Sequence, residues 1–283
     1  MIHDEATSEG PEDTSVWSRR GIDINVAHPA RRYDYWLGGK DNFAADRASG
    51  DAVAEAFPTI RTAVVENRRF LQRTVAHLVA EAGIDQFLDI GTGIPAADNT
   101  HEVAQQINSG ARIVYVDNDP IVLAHARALL TSTRPEGATA YIDADLREPA
   151  KILGDRALVD TLDLSRPVAL MLIAVLHFVF DEDRPYETVR QLVDALAPGS
   201  YLVMSHTTND LLPPEIRARV ESVTVSQGGY RPRSREEFTR FFDGLDLVAP
   251  GVVPIGDWRP DGDPAARPPA SDVSMFGAMA RIP

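Results

Sequence analysis

From Gln86 onward, short apolar runs alternate with segments compatible with helix. The runs are QFLDI, RIVYVD, TAYIDAD, PVALMLIAVLH and YLVMSH. This texture predicts βαβ units and a mostly parallel sheet covered by helices. Asp89, Asp117, Asp145, His177 and His206 close the runs, spaced 28, 28, 32 and 29 residues apart. Each interval is about one strand plus one helix, so five polar side chains are expected at the carboxyl ends of successive strands. That edge is where open α/β sheets bind ligands.

Before Gln86 the period is helical. Pro29 suits a first helical position, and PARRYDYWL runs into Gly38-Gly39, a C-cap signal. Asp41 or Asn42 can cap a second helix reaching Phe57. Thr59 can cap a third, ending at Gly83, whose Val64, Leu71, Val75, Leu78 and Ala82 form one apolar stripe. Residues 1–22 are polar and aperiodic, which predicts a mobile tail. Past His206, Pro213-Pro214 opens a helix, and Ser234 with Glu237 forms a capping box. LDLVAPGVVP and SMFGAMARI then read as an antiparallel pair at one sheet edge. The organisation expected is a tail over 1–22, a helical extension over 23–83 and a Rossmann-like α/β domain over 84–283.

Composition removes several classes of function. No apolar run approaches the roughly 18–20 residues that span a bilayer, and MIHDEATSEGPEDTSVW has neither the basic nor the apolar part of a secretion signal. The chain contains no cysteine, so it has no disulfide framework, thiolate metal site or thiol nucleophile, and a cytoplasmic location is expected. A net charge of −14 disfavours nucleic acids and anionic membranes as partners, because both are held by basic surfaces. The histidines show no His-x-x-His or His-Glu-x-x-His spacing, and no metal is expected.

The candidate chemistry begins at FLDIGTGIPA. Gly91, Thr92, Gly93 and Ala96 match a nucleotide-binding turn placed directly after the first strand. Such a turn holds a pyrophosphate through backbone N–H groups and a helix N-terminus, and a carboxylate at Asp89 would repel that anion. S-adenosylmethionine has no phosphate and carries an ammonium and a sulfonium, so Asp89 suits its amino group. Asp117 can accept hydrogen bonds from both ribose hydroxyls. Asp145 can accept from the adenine amine, with the Leu146 N–H directed to a ring nitrogen.

The order LDIGTG, VYVDNDP, YIDADLREP, AVLHFV and LAPGSYLVMSH resembles the class I S-adenosylmethionine-dependent methyltransferases over roughly residues 84–283. PARRYDYWLGGKDNF, ENRRFL and IGTGIP narrow the resemblance to an actinobacterial family of S-adenosyl methyltransferases once filed as a domain of unknown function. The resemblance implies a seven-stranded sheet of order 3-2-1-4-5-7-6, S-adenosyl-L-methionine as cofactor and S-adenosyl-L-homocysteine as product. It matches Asp89, Gly91, Gly93, Asp117 and Asp145 to the cofactor motifs, with Thr92, Asn118, Leu146 and Ala174 beside them. The fourth strand lacks the Asn-Pro-Pro-Tyr or acidic signature of N-directed nucleic-acid methylases, which removes the usual clue to the acceptor.

By position at the sheet edge, His177 and His206 are the candidate bases. Arg32, Tyr33, Tyr35, Lys40, Asp41 and Asn42 surround Gly38-Gly39 and are candidates for a lid over the cofactor and acceptor, the aromatics anchoring it and the polar groups reaching in. A methyltransferase acting on a small molecule is the leading reading. A non-catalytic S-adenosylmethionine-binding regulator is a second. A nicotinamide-dependent oxidoreductase is a third, disfavoured by Asp89 and by the lack of a Tyr-x-x-x-Lys dyad.

Overall fold

A computed structural model describes residues 22–129, 136–226 and 229–283. Apart from Ile22, the tail expected over 1–22 lies outside the described residues. Ile22 itself is buried with Ile24, Phe43 and Ile121, although it falls within the span expected as a tail.

Five parallel strands carry the repeat seen in the sequence: β1 (Gln86–Ile90), β2 (Arg112–Asp117), β3 (Ala138–Asp143), β4 (Ala169–Ile173) and β5 (Tyr201–Thr207). The C-terminal β8 (Met275–Arg281) runs antiparallel to β5 along its full length. Its other edge is covered by two short strands, β6 (Asp246–Leu247) and β7 (Val253–Pro254). The order β3-β2-β1-β4-β5-β8-β6 is the expected one, with the penultimate strand broken in two. Pro250 and Gly251 separate the halves. Proline supplies no ladder N–H and Gly251 takes φ 81°, so the strand cannot continue through them.

Side-chain alternation divides the core between the two faces. Phe87, Ile113, Tyr115, Met171 and Val203 point to one face. Leu88, Val114, Leu170, Leu202 and Met204 point to the other. On the first face lies the long helix formed by Ile60–Ala80, whose Phe70, Val75 and Leu78 are fully buried. Each such side chain stabilises by about 1.5–3 kcal/mol. By sequence this helix groups with the extension over 23–83, but it packs as an integral sheet-covering element.

The helices, in chain order, are α1 (Pro29–Leu37), α2 (Ala44–Ala56), α3 (Ile60–Ala80), α4 (Thr100–Ile107), α5 (Pro120–Leu129), α6 (Pro149–Leu153), α7 (Arg156–Thr161), α8 (Pro185–Asp194), α9 (Pro214–Ser226), α10 (Arg235–Thr239) and α11 (Ala270–Val273). α1 stops at Gly38, which takes φ 82° and donates its N–H to the Tyr35 carbonyl. The N-cap position of α2 is Phe43, whose N–H donates to Asp46 at 2.8 Å, rather than Asp41 or Asn42. No helix among the described residues is long and apolar enough to cross a membrane.

Candidate active site

A cavity of about 410 Å³ opens at the carboxyl edge of β1, β2, β3 and β4, inside the roughly 300–1,000 Å³ range of small-molecule sites. Its floor is the turn after β1. Gly91 and Gly93 take φ 78° and 69°, and the Gly91 N–H donates to the Val116 carbonyl at 2.8 Å. A Cβ on Gly91 would overlap the Val175 side chain, whereas one on Gly93 would meet nothing within 4 Å. The backbone at Gly93 therefore borders open space, as a turn that must approach a ligand requires. Gly91→Ala combines a left-handed backbone with a clash, and is expected to cost about 3 kcal/mol. The readout is the urea midpoint, and an unchanged midpoint would show that the turn relaxes freely.

Three carboxylates line one wall. Asp89 is 4% exposed and accepts a hydrogen bond from Thr100 Oγ1 at 2.6 Å. It points to the α3 and α4 face because Phe87 does, two residues earlier on the strand. Burial pushes its pKa up to about 6. Asp117 gives one oxygen to the Gly93 N–H at 2.8 Å and the other to the Asp119 N–H at 3.0 Å. A carboxylate offers about four lone-pair directions, so both oxygens retain capacity for hydroxyl donors. Asp145 differs: Arg147 grips it through Nε at 2.9 Å and Nη2 at 2.6 Å, and Asn118 adds a bond at 3.0 Å. The Arg147 hydrogen bonds hold the Asp145 carboxyl below the usual range. Thr92, Asn118, Leu146 and Ala174 line the same cavity, so all nine positions expected to hold a cofactor border one space. Arg68, from α3, ties the glycine loop to the helix layer through the Ala97 and Asp98 carbonyls at 2.8 and 3.1 Å.

Ala174 follows β4 with φ 53°, an uncommon conformation for a residue with a side chain. A buried chain of hydrogen bonds fixes it. The Ala174 N–H donates to Ser205 Oγ at 3.0 Å, Ser205 donates to Asn67 Oδ1 at 2.6 Å, and Asn67 Nδ2 donates to Tyr33 Oη at 3.0 Å. Tyr33 in turn donates to the Val64 carbonyl at 3.0 Å. β4, β5, α3 and α1 thus meet in one network beside the cavity.

The two candidate bases have different fates. His177, in the turn after β4, lines the cavity, and its Nδ1 is buried with no hydrogen-bond partner among the described residues. Burial, aided by His206 and nearby guanidinium groups, holds its pKa well below the ordinary histidine value, so the ring is neutral. His206 requires a correction: it lies within β5, not past its end, and does not border the cavity. Alternation sends Ser205 to the α3 face and His206 to the other, against Phe238 and Phe241. Its Nδ1 donates to the Thr207 carbonyl at 2.8 Å, and its Nε2 accepts from Arg233 at 2.9 Å. Burial drives its pKa down to about 3, and no ring nitrogen is left for a substrate.

The residues around Gly38-Gly39 divide, and of the polar groups expected to reach in only Arg32 does so. Arg32 and Tyr33 border the cavity, whereas Tyr35, Lys40, Asp41 and Asn42 do not. Tyr35 donates to Asp51 at 2.7 Å, Asn42 donates to Asp34 at 2.8 Å, and Asp41 lies 3.2 Å from His125. Lys40 is exposed. Those polar groups shape the turn itself, and the aromatic face of α1, with Tyr33 and Trp36, supplies the wall. His28, Arg31, Asn67, Arg68, Thr100, Asp119 and Ser205 support the site, a role that their positions in the sequence do not show. ENRRFL stands out as a motif, but one sequence does not reveal that its asparagine meets Ser205, 138 residues away.

The cradle fits S-adenosylmethionine: a sterically open glycine turn, a buried carboxylate whose pKa is raised by burial, and a second acid closing β2. A family model described as S-adenosyl methyltransferase matches residues 15–283. A DUF574 family protein from Streptomyces avermitilis is 48% identical, the alignment covering 92% of this chain and 100% of that one with a TM-score of 0.88. A candidate methyltransferase from Thermobifida fusca is 41% identical over 94% of this chain and 99% of its own, with a TM-score of 0.84. No curated protein matches. With the family model matched over residues 15–283, the chain belongs to the S-adenosyl methyltransferase family.

Proposed function

We propose that the protein is a cytoplasmic methyltransferase that alkylates a small molecule by in-line displacement. The observation that carries this reading is one partly enclosed space bordered both by Asp89, Gly93 and Asp117 and by a neutral histidine, His177. Asp89 would hold the cofactor's ammonium, Asp117 the ribose hydroxyls, and the Asn118–Asp145–Arg147 cluster the adenine end. When bound, S-adenosylmethionine supplies an electrophilic methyl group on sulfonium.

The chain's own residues then have two tasks, alignment and proton removal. α1 and α2 form the lid, fixed by Tyr33 to the network that sets Ala174. His177 accepts the proton of the attacking hydroxyl or amine. The cavity is partly enclosed and the protein strongly acidic, which supports a small acceptor over a nucleic acid.

Incubation of an actinobacterial extract with methyl-labelled S-adenosylmethionine should yield one labelled small product. His177→Ala should lower the transfer rate by about 10²–10⁴-fold while leaving affinity for S-adenosylhomocysteine unchanged. Full activity in that variant would exclude His177 as the base. Failure to label any acceptor, with S-adenosylhomocysteine still bound, would favour a non-catalytic binding protein.

A further inference from the structure

The cavity continues past the cofactor cradle into an apolar chamber. Its walls come from Val53 and Phe57 at α2, Val64 of α3, Leu212 and Val220 at α9, and Met275 of β8. Three guanidinium groups line the whole space: Arg32, Arg68 and Arg147. Arg147 is neutralised by Asp145, and Arg68 is directed to the carbonyls of the glycine loop. Arg32 differs. No carboxylate among the described residues lies within 4.0 Å of it, and its one hydrogen bond is from Nη1 to Ser49 Oγ at 3.1 Å. Its Nε is buried without a partner, and its Nη2 makes no hydrogen bond to a described residue.

A guanidinium held this way is costly, because a buried charge is stable only when paired. Burial lowers the Arg32 pKa even though Asp46 and Tyr230 act to raise it, so the surrounding charge does not offset the lost solvation. Nε and Nη2 share one edge of the guanidinium, and that edge matches the two oxygens of a carboxylate. Engaging a carboxylate through that edge would take a rotation of the side chain that gives up the Ser49 bond. Near Arg32 stands the His177 ring, in tilted contact with Phe178 and edge contact with Tyr230, its buried Nδ1 without a hydrogen-bonding partner among the described residues.

We propose that the acceptor is an apolar small molecule carrying a carboxylate, bound with the carboxylate on Arg32, the apolar body in the chamber and the methyl-accepting hydroxyl or amine against His177. This rests on the methyltransferase reading for the role of His177, but the anion preference of the chamber stands on Arg32 alone. The site prefers acids to amides or esters of the same shape, because only the acid pairs the guanidinium.

Naphthalene-2-carboxylate and 2-naphthamide are matched probes. Calorimetry on the full chain, with and without saturating S-adenosylhomocysteine, should show the acid binding at least about tenfold tighter, which is about 1.4 kcal/mol and the least expected of a charge-assisted pair. Arg32→Met should erase the preference while leaving the amide within about twofold, and Arg32→Lys should retain part of it. Equal affinities, no binding of the acid, or an undiminished preference in Arg32→Met would overturn the proposal. S-adenosylhomocysteine binding is titrated separately: its absence would strike the methyltransferase reading, whereas the acid–amide comparison decides the chamber by itself.

Discussion

Asp89→Asn is expected to abolish measurable S-adenosylhomocysteine binding while raising the stability of the ligand-free protein. Both effects have one cause. The Asp89 carboxyl is pushed up to about 6 by burial, against 3.8 for the unfolded chain. The folded state therefore binds more protons than the unfolded state between those values, and this contribution to stability is present below pH 4 and lost as pH rises through 6. Above pH 7 the ionised carboxylate costs about 2–3 kcal/mol, since each pH unit separating the folded and unfolded values is worth about 1.4 kcal/mol. Asparagine keeps a hydrogen-bond acceptor for Thr100 without the charge, so it removes that cost. An ammonium ligand reverses the balance, because it favours the ionised form. Affinity for the cofactor product should fall about tenfold per pH unit below 6 and should level off above it. Calorimetry and thermal unfolding across pH 4–8 measure both arms. Wild-type affinity in Asp89→Asn, or a pH-independent affinity in the wild type, would show that Asp89 does not hold the ammonium.

The legibility of the sequence followed the range of the interactions. The sheet was readable because strand and helix periods are local and repeat about every 29 residues, and the positions of Asp89 and Asp117 came with the strand ends. His206 was misread by a single step. A strand end is uncertain by one or two residues in sequence, and one residue decides which face a side chain occupies. The segment around Gly38-Gly39 failed for a different reason. Its helix presents Tyr33 to the cavity and Tyr35 to Arg61 and Asp51, two residues away, and which stripe faces inward depends on where α3 lies. The penultimate strand read as continuous because its apolar pattern ignores the missing proline N–H. Least visible were the long-range polar pairs. Ser205 with Asn67, and Arg31 with Asp119, join residues of unremarkable type whose meaning comes from the partner alone.

Arg31 is the residue whose loss should most disturb the proposed lid. It is 5% exposed and lies between two buried acids, with Nη1 3.6 Å from Asp46 and Nε 3.4 Å from Asp119. It also donates to the Asp23 and Val26 carbonyls at 3.1 and 3.2 Å, closing the chain that leads into α1. Asp119 accepts the Ile121 N–H at 2.9 Å to start α5, and its own N–H supports Asp117. Burial alone would raise the Asp119 pKa, but His28, 2.8 Å away, and Arg31 hold it below the usual value. One side chain thus joins the proposed lid to the turn that carries the proposed ribose acid.

Arg31→Ala leaves both carboxylates short of positive charge and should cost about 3 kcal/mol, the lower range for breaking a buried pair. The strain will be relieved where stability is lowest, by release of α1 and α2 from the sheet domain before global unfolding. Limited proteolysis should therefore cut between residues 22 and 56 at least about tenfold faster than in the wild type, and S-adenosylhomocysteine affinity should fall by a similar factor, since about 1.4 kcal/mol of lid docking is worth a factor of ten. Arg31→Lys supplies the charge but not the planar fork, so it should restore affinity in part and protease resistance less. Unchanged proteolysis with weakened binding would mean that Arg31 acts only through Asp119 electrostatics. Unchanged binding with faster cleavage would show that α1 and α2 are not a lid over the cofactor site.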